Sequence, residues 1–371
     1  MNILVLNYEY PPLGGGAAPV SRDISRQLVK AGNRVDVVTM GFEDLPSKFD
    51  DEGVCVYGVK CWRSKKSSCM PWEQLTYIIS AKRFLKKLLK ENQYDVCHTH
   101  FVIPTGPVAK WLKKKYHIPY IITAHGSDVE GYNSKKYMKI MHVLLRPFWK
   151  SIVNYAYKVV SPSEFLKGLM TKAYKVDDKY PIIPNGMDVA IYNELAEENQ
   201  KERKILLMGR MQNSKNFQMA IEALSRIDLR DWTVDILGDG PIRFELEELV
   251  ESKGLSDKMT FRGWVENKSN EQLEYLKHAS IYISASKFEN CPMAVLETAC
   301  AGCFNILSDI PAHRQMIEDD CHYFSLDDVN QLAKMIEERI KIGNEVCKYD
   351  TYRYSWDSVM PKYIELLERA E

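Results

Sequence analysis

Met1-Asn2-Ile3-Leu4-Val5-Leu6-Asn7-Tyr8-Glu9-Tyr10-Pro11-Pro12-Leu13-Gly14-Gly15-Gly16 opens the chain. Residues 2–7 are a short run without polar alternation, which predicts a strand buried on both faces of a parallel sheet. Three glycines follow at the turn. Val20, Ile24 and Leu28 then recur every four residues, one apolar stripe of a helix, with Arg22, Arg26 and Lys30 on its other faces. Pro19 fits only near a first turn, and Gly32 ends the helix. The next apolar run, residues 34–40, starts at once. Strand, glycine turn, helix, strand is the first β-α-β unit of a doubly wound α/β domain.

The same alternation continues along the chain. Runs rich in Val, Ile and Leu stand at 94–98, 119–124 and 157–161, and again at 203–208, 233–237, 259–262, 280–284 and 303–307. Two such series predict two Rossmann-like doubly wound domains with a cleft between them. The break falls at Pro184-Asn185-Gly186-Met187-Asp188, where Asn-Gly signals a turn. Glu194, Glu197, Glu198, Gln200 and Lys201 read as a solvated connector. The expected organisation is residues 1–185, residues 186–355 and a C-terminal helix over 356–371.

A chain of 371 residues, 45% apolar and 27% charged, is neither disordered nor a disulfide-stapled mini-domain. Its 50 Lys and Arg balance 50 Asp and Glu, but residues 1–190 hold 28 against 17, a surplus of +11 mirrored by −11 in the rest. A basic half joined to an acidic half predicts domains that face different partners. Nine cysteines form no regular framework, as expected of reduced thiols. Cys300-Ala301-Gly302-Cys303 has C-x-x-C spacing, but Gly302 stands where a helix cap is expected. No run reaches the ~18 uncharged apolar residues of a membrane span. The first residues lack a basic start and meet Glu9 too soon for a signal peptide, so a cytoplasmic location is expected.

Several segments point to chemistry. The Gly14–Gly16 turn, at a helix N-terminus, lets backbone N–H groups approach a phosphate. It is neither the dinucleotide fingerprint nor a P-loop. His98, His100 and His125 are expected just past the ends of two strands, the edge where open α/β sheets bind ligands. With Asp128 they number enough for a metal, but their spacing dictates no coordination geometry. His98 and His100 are expected to pack; His125, followed by Gly126, is the functional candidate. In the second half, Gly209-Arg210 with Lys215 puts two cations at a strand exit, suited to a diphosphate. Glu289 and Glu297 flank Asn290-Cys291-Pro292-Met293, where a loop enters a helix. Free N–H groups there suit phosphate and the carboxylates suit hydroxyls. A ligand with both is a sugar nucleotide.

These motifs, in this order, resemble the retaining GT-B glycosyltransferases of family 4, the glycosyl transferases group 1. The family's Glu-x7-Glu element stands here as Glu289-Asn290-Cys291-Pro292-Met293-Ala294-Val295-Leu296-Glu297, and its G-R-x4-K element as Gly209-Arg210 and Lys215. Gly238-Asp239-Gly240-Pro241, Ile183–Asp188, Tyr354–Asp357, Pro11-Pro12-x-Gly14-Gly15 and His125–Asp128 extend the likeness over nearly the whole chain. Asn290-Cys291 departs from the usual Gly-Phe, and Phe304-Asn305 from the usual Pro-Val. The resemblance implies that Gly15 and Gly16 approach the donor diphosphate and that Arg210 and Lys215 neutralise it as it leaves. It implies that Glu297 binds the ribose, Glu289 the transferred sugar, and that His125 lies near the sugar's reacting face. It also implies that the C-terminal helix packs back on the N-terminal domain.

The expected activity is retaining transfer of a hexose from a nucleotide diphosphate sugar to a glycan or lipid-linked acceptor. Uridine diphosphate is favoured because Gly263-Trp264-Val265 offers only a backbone edge for the base, and Glu266 is the sole nearby carboxylate for guanine. No metal is expected, since there is no Asp-x-Asp motif, and no cofactor or nucleic acid is expected either. The alternatives are a sugar-nucleotide epimerase and a non-catalytic sugar-nucleotide-binding subunit. The basic first half also predicts peripheral contact with anionic membrane on the cytosolic side. Lys82, Arg83, Lys86, Lys87 and Lys90 share one stretch, and Lys110, Lys113, Lys114 and Lys115 another. The segment 135–152 mixes cations with aromatic and aliphatic residues. Pro147 is expected to interrupt that last segment.

Overall fold

The computed structural model describes residues 1–43, 45–66, 68–132, 136–175 and 177–370, with backbone only at 136–139 and 177. The chain forms two compact units: Met1–Gly186 with Trp356–Glu371, and Met187–Ser355.

Unit 1 is built from β1 (Asn2–Leu6), α1 (Ala17–Lys30), β2 (Arg34–Met40), β3 (Lys48–Asp51), β4 (Val54–Val59), α2 (Pro71–Glu91), β5 (Val96–His100), α3 (Gly106–Tyr116), β6 (Tyr120–Thr123), α4 (Lys136–Tyr155), β7 (Val159–Val160) and α5 (Glu164–Tyr174). Its sheet has the order β3-β4-β2-β1-β5-β6-β7. All neighbours pair in parallel except β3 with β4. Alternate residues of each strand feed opposite cores. Leu4 and Leu6 face Tyr77, Leu85, Leu112 and Ile152 of α2, α3 and α4. Ile3 and Val5 face the α1 stripe of Val20, Ile24 and Leu28.

Unit 2 contains α6 (Val189–Glu197), β8 (Lys204–Met208), α7 (Phe217–Leu224), β9 (Thr233–Leu237), α8 (Arg243–Ser252), β10 (Met259–Gly263), α9 (Asn270–His278), β11 (Ile281–Ser284), α10 (Met293–Cys300), β12 (Phe304–Ser308), α11 (Pro311–Arg314), β13 (Tyr323–Phe324) and α12 (Val329–Ile342). Its sheet is parallel throughout, in the order β10-β9-β8-β11-β12-β13. After Ser355 the chain re-enters unit 1 as α13 (Trp356–Glu368), whose Trp356, Val359, Met360 and Tyr363 pack in the same core as the α1 stripe.

The ten strands read from the sequence are present, each within two residues of its expected ends. Four details differ. β3, β4 and β13 were not expected: β13 is only two residues long, and β3 is an antiparallel edge strand of sequence Lys-Phe-Asp-Asp, whose charges mask its pattern. β5 runs two residues further than expected, so His98 and His100 lie within it, not beyond its end. The connector is a solvated linker only in part: Glu194, Glu197, Glu198 and Gln200 are exposed as expected, but the segment is ordered. Residues 189–197 are helical, with Tyr192 and Leu195 buried, and Lys201 is buried with Nζ donating to the Leu276 carbonyl at 2.8 Å. α4 runs through Pro147 without a break. Pro147 and Val143 are both exposed, so water can satisfy the carbonyl that loses its helical N–H partner. Of the basic-aromatic segment, Lys135 and the side chains of Lys136, Tyr137, Met138 and Lys139 lie outside the described residues. Among the described residues no helix is long and apolar enough to cross a membrane.

Candidate functional site

In unit 2 the chain goes from β8 to β9 on one side and later reaches β11 on the other. Ligands of open α/β sheets bind where strand order reverses, outside the carboxyl ends. Two loops meet there. One follows β8 and carries Gly209, Arg210 and Lys215; the other follows β11 and carries Ser286, Glu289 and Asn290. The Lys287 N–H donates to the Ser214 carbonyl at 2.8 Å and ties the loops together. Across the junction, Lys215 Nζ donates to Glu289 Oε1 at 2.5 Å, and Ser286 Oγ donates to the same oxygen at 2.7 Å. Burial pushes the Glu289 carboxyl up, but the Lys215 charge and these two hydrogen bonds outweigh it, so its pKa is lowered. Glu289 is therefore a carboxylate at neutral pH. Its Oε2 is left without a partner among the described residues, as is the exposed guanidinium of Arg210.

The loop after β9 sets the shape. Gly238 has φ +124°, and a Cβ there would lie 2.0 Å from the Gly209 carbonyl oxygen. A Cβ on Gly240 would lie 2.2 Å from the Met211 carbonyl oxygen. Only glycine lets the β9 turn back onto the β8 loop this closely. Beside it, Val265 is partly buried and Trp264 exposed. Pro292 caps α10 and leaves Met293 as its first residue. Asn290 is half-buried and Cys291 buried. Glu297 lies in α10, buried, with Oε1 accepting from Asn267 Nδ2 at 3.0 Å and Oε2 from Gln272 Nε2 at 3.1 Å. Burial raises its pKa against these bonds.

Unit 1 has its own reversal between β1 and β5. The turn after β1 holds Gly14, Gly15 and Gly16, and α1 starts at Ala17. A Cβ on Gly15 or Gly16 would meet nothing within 4 Å, so neither glycine is required by packing. His125 follows β6. Its Nε2 shares a hydrogen bond with His100 Nδ1 at 3.0 Å, and His98 Nε2 shares one with Thr123 Oγ1 at 2.8 Å. Burial pushes His98 and His125 down to about 3 and holds His100 well below the ordinary histidine range too, so all three rings are neutral. His98 Nδ1 and His100 Nε2 find no partner among the described residues. Asp128 accepts from the backbone N–H groups of Val102, His125 and Gly126 at 2.7–3.1 Å. Its oxygens shape the His125 turn and do not converge with the rings on a metal.

The structure thus joins Lys215 to Glu289 in unit 2, with Arg210 on the Lys215 loop and Val265, Asn290, Cys291, Pro292, Met293 and Glu297 on neighbouring loops and α10. It brings Gly15, Gly16 and His125 to the carboxyl edge of unit 1. The model for "Glycosyltransferase Family 4" matches residues 14–191, and the model for "Glycosyl transferases group 1" matches residues 202–341. The chain belongs to the family 4, group 1 glycosyltransferases. A relative of this glycosyltransferase is the alpha-monoglucosyldiacylglycerol synthase of Streptococcus pneumoniae, 26% identical over 86% of this chain and 74% of the relative. Among solved structures, sucrose-phosphate synthase of Thermosynechococcus elongatus superposes with a TM-score of 0.82 at 17% identity, over 100% of this chain and 98% of that one. Anabaena HepE in complex with UDP superposes at 0.76 and 14%, over 99% and 100%. The fold is GT-B.

Sequence reading missed four partners in the glycosyltransferase. Ser286 stands three residues before Glu289, outside the Glu-x7-Glu element. Asn267 and Gln272, which hold Glu297, and His313, whose Nε2 meets Ser284 Oγ at 3.3 Å and whose Nδ1 lies 2.9 Å from the Ser308 carbonyl oxygen, are remote in sequence. No local pattern marks them.

Proposed function

We propose that this glycosyltransferase takes a hexose from a uridine diphosphate sugar and transfers it, with retention, to a lipid-linked or glycolipid acceptor. The observation that carries the reading is the Lys215–Glu289 pair across the strand-order reversal of unit 2, with an unpartnered Arg210 on the same loop. Cleaving the sugar–phosphate bond develops negative charge on the diphosphate and positive charge at the anomeric carbon. Arg210 and Lys215 answer the first charge, with the N-terminus of α10, which begins at Met293, on the neighbouring loop. Glu289 holds Lys215 through Oε1 and offers Oε2 to the sugar hydroxyls. Glu297 takes the ribose by exchanging its Asn267 and Gln272 bonds. His125, Gly15 and Gly16 enter from the family resemblance. A neutral His125 accepts or donates a hydrogen bond without placing a charge near a developing cation.

Retention is read as same-face attack with the departing phosphate as base, so no second catalytic carboxylate and no metal is required. Uridine is favoured because Val265 presents backbone to the base. The synthase relative names a diacylglycerol lipid as its product, and the basic first unit suits the same class of acceptor, met through peripheral contact with an anionic membrane. A screen of nucleotide sugars by nucleotide-diphosphate release tests the donor. Release from a uridine donor, lost in Lys215→Ala, is the expected result; release only from a guanosine donor overturns the base assignment.

A further inference from the structure

On α2 the solvent-facing stripe reads Trp72, Leu75, Ile79, Arg83, Lys86, Lys90, at spacings of three and four. Its first half is apolar and its second half basic. Leu75 is 61% exposed and Trp72 55%, while the opposite stripe, Tyr77, Ala81 and Leu85, already fills the core. The exposed residues are therefore surplus to the unit's own packing. Trp62, 67% exposed, stands beside them, tied to the helix by its backbone N–H donating to Thr76 Oγ1 at 3.0 Å.

α4 repeats the arrangement. Ile140, Val143, Leu144 and Phe148 are exposed, with Leu144 at 75%, while Trp149, Ile152 and Val153 are buried beneath. α3 packs against both helices and carries Lys110, Lys113, Lys114 and Lys115. Lys110 and Lys114 stand 4.9 and 4.8 Å from the ring centre of Tyr155. All three helices return along parallel strands, so the apolar first halves of α2 and α4 lie at the strands' carboxyl edge, with Gly14–Gly16 and His125. Scattered exposed apolar residues are ordinary, but apolar stripes on two helices that flank a lysine-bearing third mark an interaction surface.

We propose that this α2–α3–α4 face docks on an anionic lipid bilayer. Trp62, Trp72, Leu75, Ile79, Ile140 and Leu144 enter the headgroup–acyl boundary, and the lysine rows hold anionic headgroups. The assignment deepens the membrane contact of the proposed function and rests on that reading for its purpose. Charge selects the occupant. The three helices carry thirteen Lys and Arg against two Glu, and one of these, Glu73, is buried, accepting from the Ser64 and Met70 N–H groups. A second copy seated two-fold on the same patch would bring these cations together and be repelled.

The test uses the full chain and phosphatidylcholine vesicles with and without phosphatidylglycerol. The parent should sediment with the anionic vesicles and release as salt rises. Trp72→Glu/Leu75→Glu and Leu144→Glu should each weaken binding by about tenfold or more, because a charge is placed at the lipid boundary. Brominated acyl chains should quench tryptophan emission, and Trp62→Phe/Trp72→Phe should remove most of that quenching. Parent protein that stays in solution at low salt, or variants that sediment like the parent, overturn the proposal. So does a concentration-dependent dimer that the same substitutions dissolve. Nucleotide release without vesicles should be unchanged in the variants. If the parent never releases nucleotide yet still binds vesicles, the donor reading fails and this surface stands.

Discussion

The two sheets place very different chemistry at equivalent edges. Unit 1 lines its strand-order reversal with neutral rings, His98 bonded to Thr123 and His100 to His125, and keeps its ion pair, Arg63–Glu9 at 3.7 Å, to the turn after β1. Unit 2 lines its own with an ion pair, Lys215–Glu289, reinforced by Ser286. The difference follows from burial. A buried histidine avoids the desolvation cost by losing its proton, whereas a buried lysine needs a partner to keep its charge. Neutral rings suit a hydroxyl group, and a lysine–carboxylate pair suits a diphosphate.

Acid separates the two most strongly. The folded pKa values of His98 and His125 are depressed to about 3 from an unfolded value of about 6.5. Between these limits the unfolded chain binds protons that the folded one refuses. Stability is thus whole above about pH 6.5 and falls as pH drops through that window. At about pH 5 each ring costs roughly 2 kcal/mol, so this pair alone removes about 4 kcal/mol from unit 1. In unit 2, His313 is depressed to about 4 and His322 is also lowered. Hydrogen exchange, corrected for intrinsic rates, should show unit 1 opening first on acidification, and His98→Asn should flatten its slope. Equal opening of both units breaks the comparison.

Next in size is the ion pair itself. Lys215→Ala should lower turnover by about 10²–10³, roughly 3–4 kcal/mol of transition-state stabilisation. It also leaves Glu289 without its cation, so the Glu289 pKa should rise, visible by carboxylate NMR. Turnover within threefold of the parent would remove Lys215 from the mechanism.

The glycines make a third contrast. Gly238→Ala or Gly240→Ala forces a Cβ onto a backbone carbonyl, at 2.0 or 2.2 Å, and should cost unit 2 about 1–3 kcal/mol in urea unfolding. Gly15→Ala meets nothing within 4 Å and should leave stability within about 0.5 kcal/mol while raising the donor KM. A strongly destabilised Gly15→Ala would mean that its loop is held by packing after all.

The smallest effect sharpens the unit 2 side. His313 contacts Ser284, and Ser308 Oγ donates to the Ser286 carbonyl at 2.6 Å, so His313 acts on the Glu289 loop through these serines. His313→Ala should cost about 1 kcal/mol, read as a raised donor KM with kcat nearly kept. An equal fall in kcat would give His313 a direct role.

The amino-acid sequence by itself determined the two parallel sheets, because strands buried on both faces must be continuous apolar runs, and ten of them were legible at Ile3–Leu6, Val35–Val38, Ile205–Leu207 and the rest. It placed Gly209-Arg210, Lys215 and Glu289 on loops at strand exits, since glycine turns and helix starts are local signals. The tertiary structure alone decided which atoms meet. Lys215 and Glu289 are 74 residues apart, and their 2.5 Å bond exists because β8 and β11 are neighbours in the sheet. It decided that Asn267 and Gln272 hold Glu297 and that His98 and His100 lie inside β5. It decided, too, that α4 passes through Pro147 and that α2 turns Trp72, Leu75 and Ile79 outward. Spacing along a chain sets a residue's face and its element, but strand order and packing set its partner, its burial and so its charge.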